Sequence, residues 1–210
     1  MALKTITKNE LLSLNKSQGR FDNVLDVGCG NQIYKPFIEF NRYQGIDVEV
    51  SGHNKNLMKV DRYFDGENIP FSDCLFDLVL CSEVLEHVLN PEKLVSEMKR
   101  VVKDGGLILI TVPSMWGEHE VPFDFRRYTS YGIKKIVTDA GLTIIKYQKE
   151  SAGVLSLIRL GLSQVNASSN GRFVKSFAKF WLKVSYVILE IILKVEMPGI
   201  YLTNVITLKK

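Results

Sequence analysis

The chain has 210 residues, enough for one domain with an added element, and its 46% hydrophobic and 24% charged content is that of a globular protein. That composition excludes a disordered, collagenous or low-complexity chain. The net charge of +4 is uneven: residues 151–210 hold eight basic residues against two acidic, so that segment carries +6 and the remainder −2.

The N-terminus, MALKTITKNELLSLNK, has no apolar core and does not read as a secretory signal. Cys29, Cys74 and Cys81 show neither paired nor metal-ligand spacing and read as free thiols in a reducing compartment. The expected location is therefore cytoplasmic. Asn166-Ala167-Ser168 is a formal glycosylation sequon, read as chance.

Asn23 to Val27 reads as a short buried strand, Gln32 to Phe40 as a helix, and Tyr43 to Val48 as a second strand carrying an acid at its end. Phe76 to Cys81 is an apolar, strand-like run. From Pro91 to Lys103 the residues Leu94, Val95, Met98, Val101 and Val102 fall on one helical face, with Asn90-Pro91 as the start and Gly105-Gly106 as the stop. Leu107 to Val112 is a strand ending at Pro113. Thr129 to Ala140 is a helix capped by Gly141, and Thr143 to Tyr147 is a strand. Strands alternating with helices predict a parallel sheet covered by helices, with ligands beyond the carboxyl ends of the strands.

Those ends hold the chemistry. Val24-Leu25-Asp26-Val27-Gly28-Cys29-Gly30-Asn31-Gln32 puts two glycines after the first strand, beside a carboxylate. A nucleoside triphosphate loop would supply a Gly-Lys-Ser/Thr, which is missing, and a dinucleotide loop would supply a third glycine where Ile33 stands. S-adenosylmethionine remains: its aminoacyl tail needs a loop free of Cβ atoms, and its ammonium group suits Asp26. Gly28 and Gly30 as an ordinary tight turn is the competing reading. Asp47, ending the second strand, is placed to accept from both ribose hydroxyls of a nucleoside. Asp65-Gly66-Glu67-Asn68-Ile69-Pro70-Phe71 offers an acid for an adenine amino group and an apolar anchor.

The stretches VLDVGCG, YQGIDV, DGENIPFSDCLFDLVLCSEVLEHV and RVVKDGGLILITVP, in this order over residues 24–113, resemble the class I S-adenosylmethionine-dependent methyltransferases, in the broad small-molecule group called methyltransferase type 11. The resemblance implies an α/β fold: a Rossmann-like, seven-stranded, mostly parallel sheet with helices on both faces. Its last strand, antiparallel, would be Asn204 to Lys209. Residues 1–150 would be the methyltransferase core, 151–198 a helical insertion and 199–210 the final strand region. The resemblance also assigns Asp26, Gly28 and Gly30 to the methionine part of the cofactor, Asp47 to the ribose, Asp65 and Gly66 to adenine, and Cys81 and Ser82 to the floor beneath the sulfonium. Cys29, between the glycines, and Val48, beside Asp47, join the cofactor-binding set. The chain departs from the family at Gln32, where many members have a third glycine, and at Asp104, where proline is usual.

No metal is expected. The activated sulfonium methyl needs mainly an acceptor held in line with the S–CH₃ bond, with a base only where the acceptor must lose a proton. Of the three histidines, His53 reads as solvent-facing, His87 as a packing residue, and His119 as facing the substrate side. His119-Glu120-Val121-Pro122-Phe123-Asp124-Phe125-Arg126-Arg127-Tyr128-Thr129 resembles a stretch of bacterial surface-polysaccharide enzymes, which makes His119 and Arg126 the catalytic candidates. An ordinary loop histidine, and arginines paired with Glu118 and Glu120, is the competing reading.

The expected acceptor is a small molecule, a hydroxyl of a sugar or lipid-linked intermediate, with a quinone or other apolar acceptor second. A nucleic-acid acceptor is not expected: Cys81-Ser82-Glu83-Val84 stands where amino-directed nucleic-acid enzymes carry Asn/Asp-Pro-Pro-Tyr/Phe. Residues 173–195, FVKSFAKFWLKVSYVILEIILKV, form a helical pattern whose charges fall within roughly 100° of arc at 100° per residue. Such a helix must bury most of its circumference. Ser151 to Gln164 is expected to pair with it as a hairpin. That hairpin either packs on the sheet or a second copy, or rests on a membrane with lysines toward anionic headgroups and aromatics inward. A non-catalytic, cofactor-binding membrane-associated protein is the rival function.

Overall fold

The computed structural model describes residues 2–50, 58–150, 158, 160–162, 164–165, 171–192 and 200–210. In chain order it runs α1 (Ala2–Gln18), β1 (Phe21–Val27), β2 (Phe40–Val48), β3 (Arg62–Phe64), β4 (Phe76–Ser82), α2 (Pro91–Val101), β5 (Val102–Pro113), α3 (Ser130–Asp139), β6 (Thr143–Glu150), α4 (Arg172–Ile192) and β7 (Thr203–Lys209). Among the described residues one seven-stranded sheet has the order β3-β2-β1-β4-β5-β7-β6. Strands β1 to β5 pair in parallel, and β7 is antiparallel to both β5 and β6. This is the Rossmann-like α/β sheet expected, with its antiparallel last strand.

The central strands are apolar without interruption because both of their faces are covered. Along β4, Leu78 and Leu80 face one side and Val79 and Cys81 the other, following the two-residue period of a strand. On one side Val79, Ile108 and Ile110 meet Leu94, Val95 and Met98 of α2 and Ile133 and Val137 of α3. On the other, Val24, Leu78, Leu80 and Leu109 meet Leu11 and Leu14 of α1 with Tyr34 and Ile38. Strand β7 is fastened by polar groups as well. Asn204 Nδ2 donates to the Tyr128 carbonyl at 2.9 Å, Tyr147 Oη donates to Asn204 Oδ1 at 2.7 Å, and Thr207 Oγ1 donates to Glu10 of α1 at 2.8 Å.

Several expected boundaries move. The helix expected over 32–40 is only a 3₁₀ turn, Lys35–Phe37: Gln32 takes φ +57° and Pro36 removes an N–H, so no α-helical ladder starts before β2 begins at Phe40. Helix α2 stops at Val101 rather than at Gly105-Gly106. Val102 already pairs with Phe76, and the glycines lie inside the irregular first part of β5, where the register shifts before Leu107 meets Leu78. Strand β6 runs on to Glu150. Helix α1 and strand β3 were not anticipated.

Helix α4 occupies most of the apolar pattern, and residues 193–195 of that pattern lie outside the described residues. So do most of Ser151 to Gln164 and all of His53. Two packing contacts locate the part that is described. A Cβ at Gly161 would lie 3.7 Å from Leu182 Cδ2, so the segment before α4 packs against it. A Cβ at Gly117 would lie 2.3 Å from Gln164 Nε2, so Gln164 sits on the loop after β5. On α4, Phe177, Phe180 and Trp181 are 60%, 61% and 52% exposed. Their i, i+3, i+4 spacing gives a single stacked face on α4, opposite the side packed on Gly161.

Candidate active site

The sheet order reverses its sequence between β1 and β4, and a cleft of about 280 Å³ opens at the carboxyl ends of β1, β2, β3 and β4. Gly28, Asp47, Val48, Asp65 and Gly66 line one end, and Val84, His87, Leu89, Glu120, Phe123 and Phe125 line the other. Residues that the sequence scatters from 28 to 125 are thus brought to one opening.

The glycine loop has two distinct reasons for its glycines. Gly28 takes φ +67°, and a Cβ there would come within 2.2 Å of Val84 Cγ2, so the residue after β4 presses on its backbone. Gly30 takes φ +48° with nothing among the described residues within 4 Å of a notional Cβ, so here the demand seen is conformational. Gly30 N donates to Asp47 Oδ2 and Val48 N to Asp47 Oδ1, both at 2.8 Å, so the second-strand acid anchors the loop as well as facing the cleft. Gln32, at the family's third glycine position, acts as a strut. Its Nε2 donates to the Lys59 carbonyl at 2.7 Å and its Oε1 accepts from Lys35 Nζ at 2.9 Å.

Asp26 is 3% exposed and accepts a hydrogen bond from Tyr43 Oη. Burial, with the Asp47 charge adding to it, pushes its pKa up to about 7, against the opposing effects of the tyrosine and Lys35. Asp65 is engaged in its own loop: the N–H groups of Asn68 and Glu67 and the Asn68 side-chain amide donate to it and hold its pKa down at about 2. It shapes the Asp65–Asn68 turn through both oxygens.

The remaining cofactor candidates sit behind the cleft wall. Cys29 is buried, with Sγ 3.6 Å from the Lys59 carbonyl, and its side chain packs beside Gly45. Cys81 is fully buried in the core under α2. Ser82 Oγ is engaged with Thr111 Oγ1 at 2.8 Å. Burial raises the pKa of both thiols, which keeps them protonated and unreactive.

The loop after β5, residues 114–128, covers the acceptor end. It is stitched to the segment after β4: Phe125 N donates to the Glu86 carbonyl at 2.9 Å, and Tyr128 Oη to the Leu85 carbonyl at 2.8 Å. Arg126 belongs to this stitching. Its guanidinium donates to the Val88 and Leu89 carbonyls instead of facing an acceptor, because those carbonyls have no partner within the 3₁₀ turn that precedes them. Arg127 pairs in fork fashion with Asp124, not with Glu118 or Glu120, and Asp124 Oδ2 accepts from His119 N at 2.9 Å. That pairing holds the Asp124 carboxyl well below the usual range.

His119 meets a residue that the sequence reading treated as packing. The His87 and His119 rings stand edge to face with centroids 4.9 Å apart. Glu86, fully buried, brings Oε1 to 3.7 Å from His87 Nε2. Glu83 and Glu86 are the residues that sequence reasoning passed over. Burial raises the pKa of both, Glu83 to about 7, and Glu86 further under the added charge of Glu83. Their signal was present in Ser82-Glu83-Val84-Leu85-Glu86-His87, where two acids interrupt an apolar run at a strand's carboxyl end.

Residues 25–110 match the family described as the methyltransferase domain. An uncharacterised protein of Methanocaldococcus jannaschii is 33% identical over 107 residues, 51% of this chain and 46% of that one. A ubiquinone/menaquinone biosynthesis C-methyltransferase of Cupriavidus taiwanensis is 29% identical over 133 residues, 50% of this chain and 55% of that one. The chain thus spans about half the length of the curated relatives it matches. In fold, the crystal structure of a SAM-dependent methyltransferase from Archaeoglobus fulgidus superposes with a TM-score of 0.60 at 18% identity, covering 99% of this chain and 94% of that one. Residues 25–110 thus match the methyltransferase domain, and the sheet order and glycine loop described above are those of the Rossmann-like fold that the solved methyltransferase structures share.

Proposed function

We propose that the protein transfers the methyl group of S-adenosylmethionine to a small-molecule acceptor. The observation that carries this reading is the convergence of Gly28, Asp47 and Gly66 on one cleft whose far end is closed by a separate, apolar-lined loop. Asp47 and Val48 would hold the ribose, the Asp65–Asn68 turn the adenine, and the Gly28–Gly30 backbone the aminoacyl tail, with Asp26 behind it. Cys29, Cys81 and Ser82 would shape the wall. The acceptor would enter beside Val84, Leu89, Phe123 and Phe125, which suits a molecule with an apolar part joined to a reactive hydroxyl, such as a sugar on a lipid carrier. A quinone is the second reading, favoured by the same apolar lining and by the likeness to the Cupriavidus quinone-biosynthesis methyltransferase.

The exposed aromatic face of α4 supports a peripheral membrane setting for a lipid-linked acceptor, on the cytoplasmic side. Among the described residues no helix is long and apolar enough to cross a membrane. Residues 1–150 with the last strand would form the catalytic unit and residues 151–198 the surface that meets the acceptor's carrier.

The test is incubation of the purified chain with S-adenosylmethionine labelled in the methyl group and a fractionated cell extract. Label entering the lipid-linked saccharide fraction, with stoichiometric release of S-adenosylhomocysteine, is the expected result. Label entering only the quinone fraction would replace the hydroxyl acceptor by the second reading. No release with any fraction would overturn catalysis.

A further inference from the structure

We propose that Glu86, His87 and His119 form a binding site for one first-row divalent metal ion at the acceptor end of the cleft. One carboxylate oxygen and one ring nitrogen from each histidine all lie within 4.8 Å of one another. An ion with bonds of about 2.0–2.2 Å needs such atoms roughly 3–3.5 Å apart, so the most widely separated pair has to draw in by at most about 1.3–1.8 Å.

Independent observations point to a missing ligand rather than to packing. Both Glu86 carboxyl oxygens and His87 Nε2 are buried and, among the described residues, have no hydrogen-bond partner. Buried polar atoms are nearly always partnered, because an orphan forfeits its bonds to water with nothing in return. Three orphans on two adjacent residues, converging with a third residue's ring, ask for something between them. A protonated Glu86 would stand 3.7 Å from the His87 Nε2 lone pair, beyond hydrogen-bond length.

The surroundings prepare the histidines as ligands. His87 Nδ1 lies 2.7 Å from the Phe123 carbonyl, which can only accept, so Nδ1 carries the proton and Nε2 carries the lone pair. His119 Nδ1 lies 3.2 Å from Asp124 Oδ2 and 3.3 Å from the Gly117 carbonyl, so the same argument frees its Nε2. Asp124 is itself held by Arg127. A carboxylate or carbonyl behind each ligating histidine is the usual support of a metal site. Two imidazoles with one carboxylate suit zinc, iron(II), cobalt(II) or manganese(II) better than calcium or magnesium.

His87 lines the cleft, so coordination positions not filled by the protein would face the acceptor. If the methyl-transfer reading holds, on which this clause rests, the acceptor class is narrowed to molecules that offer an oxygen to the metal. A bound metal lowers the pKa of such an oxygen and fixes its position.

The experiment titrates cobalt(II) chloride into the chelator-stripped full chain while following visible absorption, with S-adenosylhomocysteine binding measured in parallel by calorimetry. The expected result is saturation at one equivalent, with affinity falling at least about 100-fold in both His87→Ala and His119→Ala and about 10-fold in the supporting variant Asp124→Asn. Thermal melting verifies that each variant folds, and His119, about a third exposed in its side chain, is the variant least able to disturb the core. Absence of saturable binding, or equal binding by wild type and the histidine variants, overturns the site. Cobalt uptake without S-adenosylhomocysteine binding would keep the metal site and sink the methyl-transfer reading. S-adenosylhomocysteine binding without cobalt uptake would do the reverse.

Discussion

Asp47 Oδ2 accepts the Gly30 N–H at 2.8 Å, tying the end of the second strand to the loop after the first. The acid expected to hold a ribose therefore has a structural task before any cofactor arrives. Asp47→Ala removes both tasks. Hydrogen bonds to a charged group contribute roughly 1.5–3 kcal/mol, and each 1.4 kcal/mol is tenfold in affinity. S-adenosylhomocysteine affinity should fall at least about tenfold, read by calorimetry. Asp47→Asn keeps one acceptor for Gly30 N and should fall less; equal loss in both would show that charge on the ribose is the whole effect.

The two loop glycines should respond differently to alanine. At Gly28 the new Cβ meets Val84 and also sits at φ +67°, whereas at Gly30 only the positive φ opposes it. Gly30→Ala should cost about 1–2 kcal/mol of stability and Gly28→Ala more, because overpacking adds roughly 1–3 kcal/mol. Val84→Ala in the Gly28→Ala background should restore the overpacking part. Urea unfolding of the four chains checks this, and a double variant no more stable than Gly28→Ala would show that Val84 is not the obstacle.

The raised pKa of Asp26 makes a signed prediction. Its folded value of about 7 stands above the ordinary 3.8, so between those values the native state binds a proton that the unfolded state does not. The contribution of Asp26 to stability is therefore full at low pH and is lost as pH rises from about 4 through 7. Asp26→Asn keeps an acceptor for Tyr43 and should flatten that fall. Comparing wild type and variant in urea at pH 5 and pH 8, the variant should gain relative to wild type on going from pH 5 to pH 8. A constant difference across pH would refute the assignment.

The loop from 114 to 128 separates positioning from chemistry. Arg126→Ala frees the Val88 and Leu89 carbonyls and should loosen the cover over the acceptor end. Turnover should fall roughly tenfold or more, with KM for the acceptor rising and S-adenosylhomocysteine affinity changing little. Arg126→Lys should rescue only partly, since an ammonium cannot reach both carbonyls with the geometry of a guanidinium. Unchanged kinetics in Arg126→Ala would show that the stitching is dispensable.

Much of this molecule was legible because its central strands are long apolar runs. β4, β5, α2 and the Thr129-capped α3 follow from period and capping, and β7 from the family resemblance. Helix α1 was not, because its buried face carries Thr7 and Glu10 beside Leu11 and Leu14, and the partners of Glu10, Lys146 and Thr207, lie far along the chain. Strand β3 has three residues, none of them buried, and leaves no pattern to read. In the site, the glycine loop and Asp47 were readable from local motif and spacing. The turning of Arg126 away from the cleft, and the meeting of His87 with His119, were not. Both depend on how the 114–128 loop folds back on residues 85–89, a tertiary contact that no local spacing encodes.

The measurement that bears most directly on the account is calorimetric titration of the wild-type chain with S-adenosylmethionine, S-adenosylhomocysteine and, as a control for any adenosine-bearing dinucleotide, NAD. One saturable site for the first two, and none for the third, is the result the glycine loop, Asp47 and the Asp65–Asn68 turn predict. Saturation by NAD, or no saturation by S-adenosylhomocysteine, would contradict it.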